Sequence, residues 1–348
     1  MASITGANTG LAISLSNTFD TVIAPSTGQK VQVDNINQGR GLTELSESPI
    51  GSGLSMQQDS DIGDYKPTVS ITKTVRSDDS GIAILAPFFG QEAVAVTGSG
   101  SIHSFTHQGT SITNFINLGI APDTASVIEY INGVCTKLNF KLNPNDYMKS
   151  SIDLLFTEQR ITGTIFTNAN ITSATEVSGR KNFVVRPAHY VRLNAQAGSA
   201  LANGDAIAIT EAEVNLIKDR ELVGEIRGAT GYGAPRVSGN PPFSAELMVT
   251  FKTLADLTYF TAVNAGTEYK ADLVVQGDLI SGSTYNMFII MLPRLKIVTD
   301  PDFNVTDPGE NPLKVRFKSL VATSVPSGMT SVYPSINVIN SRATKYWQ

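Results

Sequence analysis

The chain has 348 residues, 41% of them hydrophobic and 16% charged, with 26 Lys+Arg against 31 Asp+Glu and a formal charge of −5. That length points to roughly two domains. The low charged fraction favours β-rich architecture with a surface finished by Ser, Thr, Asn and Gly, and net acidity without a polybasic block excludes a binder held to nucleic acid by phosphate neutralisation.

Residues 1–60 are rich in Gly, Ser, Thr, Asn and Gln with scattered apolar residues, which predicts an extended arm or loop-rich lead-in. The first basic side chain is Lys30, so no charged n-region of a secretory signal is visible, and no apolar run reaches the roughly 18 residues that span a bilayer. Cytoplasmic synthesis without a membrane anchor is the expectation. The run DSDIGD (59–64) fails the pattern of a calcium loop and reads as loop.

TVSITKTVRSDDSGIAILAPFFG (68–90) reads as a strand, a polar elbow and a short helix with Ser77 or Asp79 as cap, Ile82, Leu85 and Phe89 on one face, and Gly90 closing it. His103 and His107 share a strand face as H-x-x-x-H. No carboxylate or cysteine completes a metal set with them or with His189, so all three read as surface or interface residues. The lone cysteine, Cys135, reads as a small core residue and excludes an intrachain disulfide. Leu138, Phe140 and Leu142 alternate with polar neighbours, as do Ile152, Leu154 and Phe156; both are half-buried strands.

Residues 191–242 read as linker and extended loop. Within them GATGYGAPRVSG (228–239) inverts a dinucleotide fingerprint and is better taken as a flexible tip, with Tyr232 and Gly233 as subunit-contact candidates. In the second half Ala245, Leu247, Val249 and Phe251 alternate with polar residues, then a helix capped by Thr253 ends at Gly266. Leu313, Val315 and Phe317 alternate with Lys314, Arg316 and Lys318. DPDFNVTD (300–307) lacks the glycine and glutamate of a calcium loop and reads as a solvated turn, while Trp347, near the C-terminus, is a further contact candidate. No catalytic constellation, cofactor site or metal site is assigned.

The two halves can be put in register. An offset of 176 carries Ile71 to Leu247, Val75 to Phe251, Ser77 to Thr253 and Gly90 to Gly266; after about 19 residues missing from the second copy, an offset of 157 carries Leu138 to Leu295 and Phe140 to Ile297. The organisation expected is an arm (1–60), a first domain (61–190), a linker and loop (191–242) and a second domain (243–348). The fold class expected is mainly β: two tandem sandwiches or partly closed barrels, each with a short flanking helix.

TVSITKTVRSDDSGIAILAPFFG, FSAELMVTFKTLADLTYFTAVNAG and the strand–turn–strand CTKLNFKLNPNDYMKSSIDLLF give the chain a pattern that resembles the tail tube proteins of long, non-contractile-tailed bacteriophages, over about residues 60–165 and 240–325. The resemblance implies a structural virion protein, made in the host cytoplasm, whose folds close into rings that stack into a hollow tube. Its partners would be copies of itself, the tape-measure protein, and the tail terminator and tail tip proteins, with genome DNA passing through the lumen unbound along an acidic or neutral wall. With two folds per chain, a trimer with pseudo-sixfold symmetry is implied. The other reading is a secreted or pilus-like β-sandwich adhesin.

Overall fold

The computed structural model describes residues 10–25, 29–39, 42–47, 59–78, 81–108, 114–122, 126–161, 164–174, 181–186, 189–223, 232–239, 241–251, 258–299, 301–303 and 312–346. The first half contains β1 (Gly10–Ser16), β2 (Asn35–Gly39), β3 (Leu42–Glu47), β4 (Asp59–Tyr65), β5 (Thr68–Thr74), helix α1 (Leu85–Phe89), β6 (Gly90–Thr97), β7 (Gly100–His107), β8 (Phe115–Ala121), β9 (Ile128–Leu142), β10 (Lys149–Leu155), β11 (Glu158–Arg160) and α2 (Asn168–Ser173). There follow β12 (Tyr190–Ala195), β13 (Ala206–Ile207), β14 (Glu211–Lys218), β15 (Arg220–Glu221) and β16 (Arg236–Val237). The remainder comprises β17 (Phe243–Phe251), α3 (Thr258–Ala265), β18 (Glu268–Ser281), β19 (Thr284–Ile297), β20 (Asp302–Phe303), β21 (Leu313–Ser319) and β22 (Ser335–Asn340). The molecule is mainly β and antiparallel, sandwich-like, with no closed barrel.

Period-2 patterning produces the main sheet, in the order β2, β5, β10, β9, β14, β17, β21 and the C-terminal end of β19. Val69, Ile71, Leu138, Ile152, Val214, Leu247 and Phe317 are buried on one of its faces. A second sheet runs β6, β7, β22, β19, β18, β12, β13, and a third runs β1, β8, the N-terminal end of β9, β11. Phe140 of the main sheet meets Phe288 of the second at 5.3 Å between ring centroids, and Phe183 packs on the same ring at 6.0 Å. One continuous apolar core spans the residues of all three sheets.

Two long strands change sheets partway along, β9 and β19. In β9 the change occurs at Asn132, held at φ +54°, where its backbone N–H donates to Asn117 Oδ1 and its side-chain amide donates to Asp20 Oδ1. A short amide side chain tolerates that left-handed conformation better than most. At the next position a Cβ would lie 2.3 Å from Phe156, so Gly133 lets the ring close over the bend.

Both helices end as the sequence predicts. Gly90 and Gly266 are left-handed, at φ +91° and +64°, and Thr267 N–H donates to Ala262 C=O across the second cap. Ser77 does not cap α1; its hydroxyl accepts from Lys181 N–H instead. Helix α3 is described over Thr258–Ala265, and the expected Thr253 cap lies outside the described residues. The offset of 176 agrees with the pairing: Ile71 sits opposite Ile152, and Leu247 opposite Phe317. Since Ile152 is also opposite Leu138 while Phe317 is opposite Ile297, the second offset becomes 159, a two-residue slip that keeps every side chain on its face. Between helix and long strand the first half carries the extra hairpin β6–β7.

Three expectations are corrected. The described parts of the lead-in are no free arm: Leu11, Ala12 and Ile13 are buried, β1 pairs with β8 over its whole length and β2 pairs with β5, because a chain can hide polar-rich strands wherever a neighbour supplies the apolar face. Residues 59–64 are strand β4. The described residues of the stretch 191–242 include strands β12 to β16, and β14 lies between β9 and β17, joining the halves through a buried face of Ala212, Val214 and Leu216.

Candidate assembly surfaces

The outward face of the main sheet is a lattice of charged and amide side chains in cross-strand rows. One row reads Asn35, Thr72, Ser151, Asn139, Asn215, Glu246, Lys318, Lys296, Glu268. Asn139 donates to Glu213 Oε1 at 2.5 Å and to Asn215 Oδ1 at 2.6 Å, and Lys141 meets Glu211 at 2.5 Å. Half-exposed pairs of this kind contribute about 1 kcal/mol or less, so they order the face more than they stabilise the fold. On β21 the outward residues Lys314, Arg316 and Lys318 are all cationic, beside Glu211, Glu213 and Glu246 on β14 and β17. The face carries both signs in blocks and is not an acidic wall.

The opposite outward face, on the second sheet, is different. Its rows Ala93, Ser104, Asn337, Ile289 and Ala95, Ile102, Ile339, Met287 contain no charge. Beyond these faces the sheets end in strands that pair on one side only among the described residues, β2 on β5 and β6 on β7, whereas the outer side of β1 is covered by residues 29–31, with Ile13 N–H donating to Gln29 C=O and Val31 N–H to Leu11 C=O. Strands β3 and β4 pair with each other and with no other described strand. A two-stranded hairpin by itself is marginally stable in water.

Two polar clusters were not visible in the sequence. In the first, the wholly buried His103 contacts Glu92 Oε1 through Nδ1 at 2.8 Å and Arg342 C=O through Nε2 at 2.8 Å. A carbonyl only accepts, so Nε2 carries a hydrogen. Tyr346 N–H donates to both Glu92 oxygens at 3.0 Å, its hydroxyl donates to Asp78, and Asn340 Nδ2 donates to that hydroxyl at 2.6 Å. Burial, then Asp78, raises the phenol's pKa well above its ordinary value. The segment after β22 is thereby clasped onto β6 and β7.

In the second cluster Lys218, 4% exposed, holds its ammonium 5.4 Å over the Phe88 ring and 5.9 Å over Phe243, with no ion pair to any described residue. His107 stacks on the other partner, Phe243, at 4.8 Å. Burial, then Arg220, brings the Lys218 amine down to about 7, and burial, then Lys218 and Arg220, brings His107 to about 4. A desolvated cation–π contact supplies about 2 kcal/mol, against a burial cost of several, so the cost wins.

A stability profile follows from the signs. Both folded pKa values lie below the unfolded ones, so the unfolded chain binds more protons in each window and stability rises with pH, from about 4 to 6.5 through His107 and from about 7 to 10.5 through Lys218. Lys218→Met is expected to stabilise the protein by about 1–3 kcal/mol at pH 6, with the gain vanishing as pH reaches 10.5. Urea unfolding across that range measures it, and a destabilised variant at pH 6 would show that Lys218 has a counter-charge.

The structure separates the contact candidates and histidines rather than gathering them. Tyr232 is 4% exposed with its N–H on Thr157 C=O, and Gly233 is buried too, so neither stands on the surface of the chain; burial of the ring in the core overrides its loop-like context. Trp347 lies outside the described residues, as does most of 300–307. His103 is core, not surface, and it and His107 serve different clusters although they share a strand face. Cys135 is buried as expected, and burial raises its thiol's pKa. Among the described residues no group of His, Cys, Asp and Glu could hold a metal, and no helix is long and apolar enough to cross a membrane. No protein-family model matches the chain, and no curated protein matches it in sequence.

Proposed function

We propose that the chain is a self-assembling structural subunit, the tail tube protein of a long non-contractile-tailed phage, with a trimeric ring as its unit and the stacked rings as the conduit for DNA. The observation that carries this reading is the hairpin β3–β4. It is a 28-residue excursion, 40–67, between Gly39 and Thr68, which sit directly opposite each other in β2 and β5. Such a hairpin, paired with nothing else described, gains stability by lying on another subunit.

The open edges of β2 and β6 and the uncharged rows of the second sheet support the same reading, since a subunit that both closes a ring and stacks needs more than one kind of contact. A tape-measure protein in the lumen and terminator and tip proteins at the ends are the partners this role requires. With both signs on the outward face of the main sheet, cations there sit beside carboxylates, as Lys141 beside Glu211, which limits phosphate binding if that face lines the lumen.

Negative-stain microscopy of the full chain is expected to show rings or hollow rods of uniform width. Replacing residues 40–67 by a two-residue turn joins β2 to β5 as a tight hairpin, and this variant is expected to stay folded and form no rods. Monomers at every concentration for the intact chain, or normal rods from the excised one, would refute the proposal.

A further inference from the structure

An unassigned cleft of about 380 Å³ lies where the C-terminal end of β9 and the N-terminal end of β14 meet β12, β13 and β18. That volume falls in the range of small-molecule pockets. Its walls are aliphatic: Leu142, Val185, Val191, Ile207, Ile209 and Val274. Leu142, Val191 and Val274 are already at 4–6% exposure, so the wall is fixed by the core behind it.

Of the charged side chains at the cleft, Glu211 and Arg186, only Arg186 lacks an opposite charge among the described residues. Glu211 is engaged by Lys141. His189 accepts the Arg186 N–H on Nδ1 at 3.0 Å and bonds the Gln276 backbone, while its burial and the neighbouring Arg186 charge lower its pKa, so the ring is neutral. The Arg186 guanidinium has no carboxylate among the described residues. An aliphatic slot with one unanswered cation at its rim is complementary to an apolar chain ending in an anion.

We propose that this cleft binds a medium-chain aliphatic carboxylate, its chain of roughly ten carbons lying along Leu142, Val191 and Ile209 and its carboxylate paired with Arg186. The ligand binds noncovalently and no bond is made or broken. The site lies within one chain, so it does not depend on the proposed assembly.

Calorimetric titration of the full-length chain with sodium decanoate below its micelle concentration is expected to show saturable binding of one ligand per chain. Arg186→Gln, at an exposed position, is expected to weaken decanoate at least tenfold while changing decanol less than twofold, and Ile209→Glu to abolish both. Absence of decanoate binding, equal affinity for decyltrimethylammonium, or decanoate binding unchanged in Arg186→Gln would overturn the proposal. So would an altered sedimentation coefficient in Ile209→Glu with decanoate binding retained, which would mark the cleft as a seat for a second copy.

Discussion

A chain lacking residues 1–40 is expected to show no cooperative unfolding transition. Leu11 and Ile13 of β1 and Val31 beyond it are 2–5% exposed, and burying such side chains contributes about 1.5–3 kcal/mol each. Removing them also strips β8, whose residues Phe115–Ala121 are all buried, and leaves it as an open apolar edge. Loss of β2 uncovers β5 in the same way. Against a total stability of about 5–15 kcal/mol, losses of this size leave little or nothing. Circular dichroism with urea titration tests it: a soluble truncation with an unchanged midpoint would mean that β1 is dispensable.

Glu92→Ala is expected to cost about 3–5 kcal/mol, the usual penalty for removing one partner of a buried pair. The carboxylate contacts His103 Nδ1 and accepts from the Tyr346 N–H, so its removal leaves two polar groups without a partner at once. The C-terminal segment should then come loose from β6 and β7, although β22 remains paired with β7 and β19. Glu92→Gln retains an acceptor and is expected to cost less. Tryptic cleavage at Arg342 and Lys345 reads the release directly. Cleavage as slow as in the intact protein, with an unchanged urea midpoint, would show that the clasp does not depend on Glu92.

Local patterning was legible wherever burial alternates along one strand. Leu138, Phe140, Leu313, Val315 and Phe317 are buried on schedule because a strand half-covered by a core needs only its own period to choose a face. The Gly90 and Gly266 caps were legible for a similar reason, since a left-handed residue after a helix is a local demand. The cleft at Arg186 gave no such sign: its wall draws on residues from 142 to 274, and neither their spacing nor their composition brings them together.

By itself the sequence determined the mainly β class, the faces of its strongest strands, the two helix ends and the 176-residue echo between halves. Only the tertiary structure decided that β1 is a buried strand on β8 and β2 an added strand on β5, that β14 sutures the halves, that β3 and β4 pair with each other and with no other described strand, and that Glu92, His103 and Tyr346 form one cluster across 254 positions of chain. The reason is the range of the forces involved. Alternation and capping act between residues a few positions apart, whereas strand order and the pairing of buried polar groups depend on which distant segments share an edge.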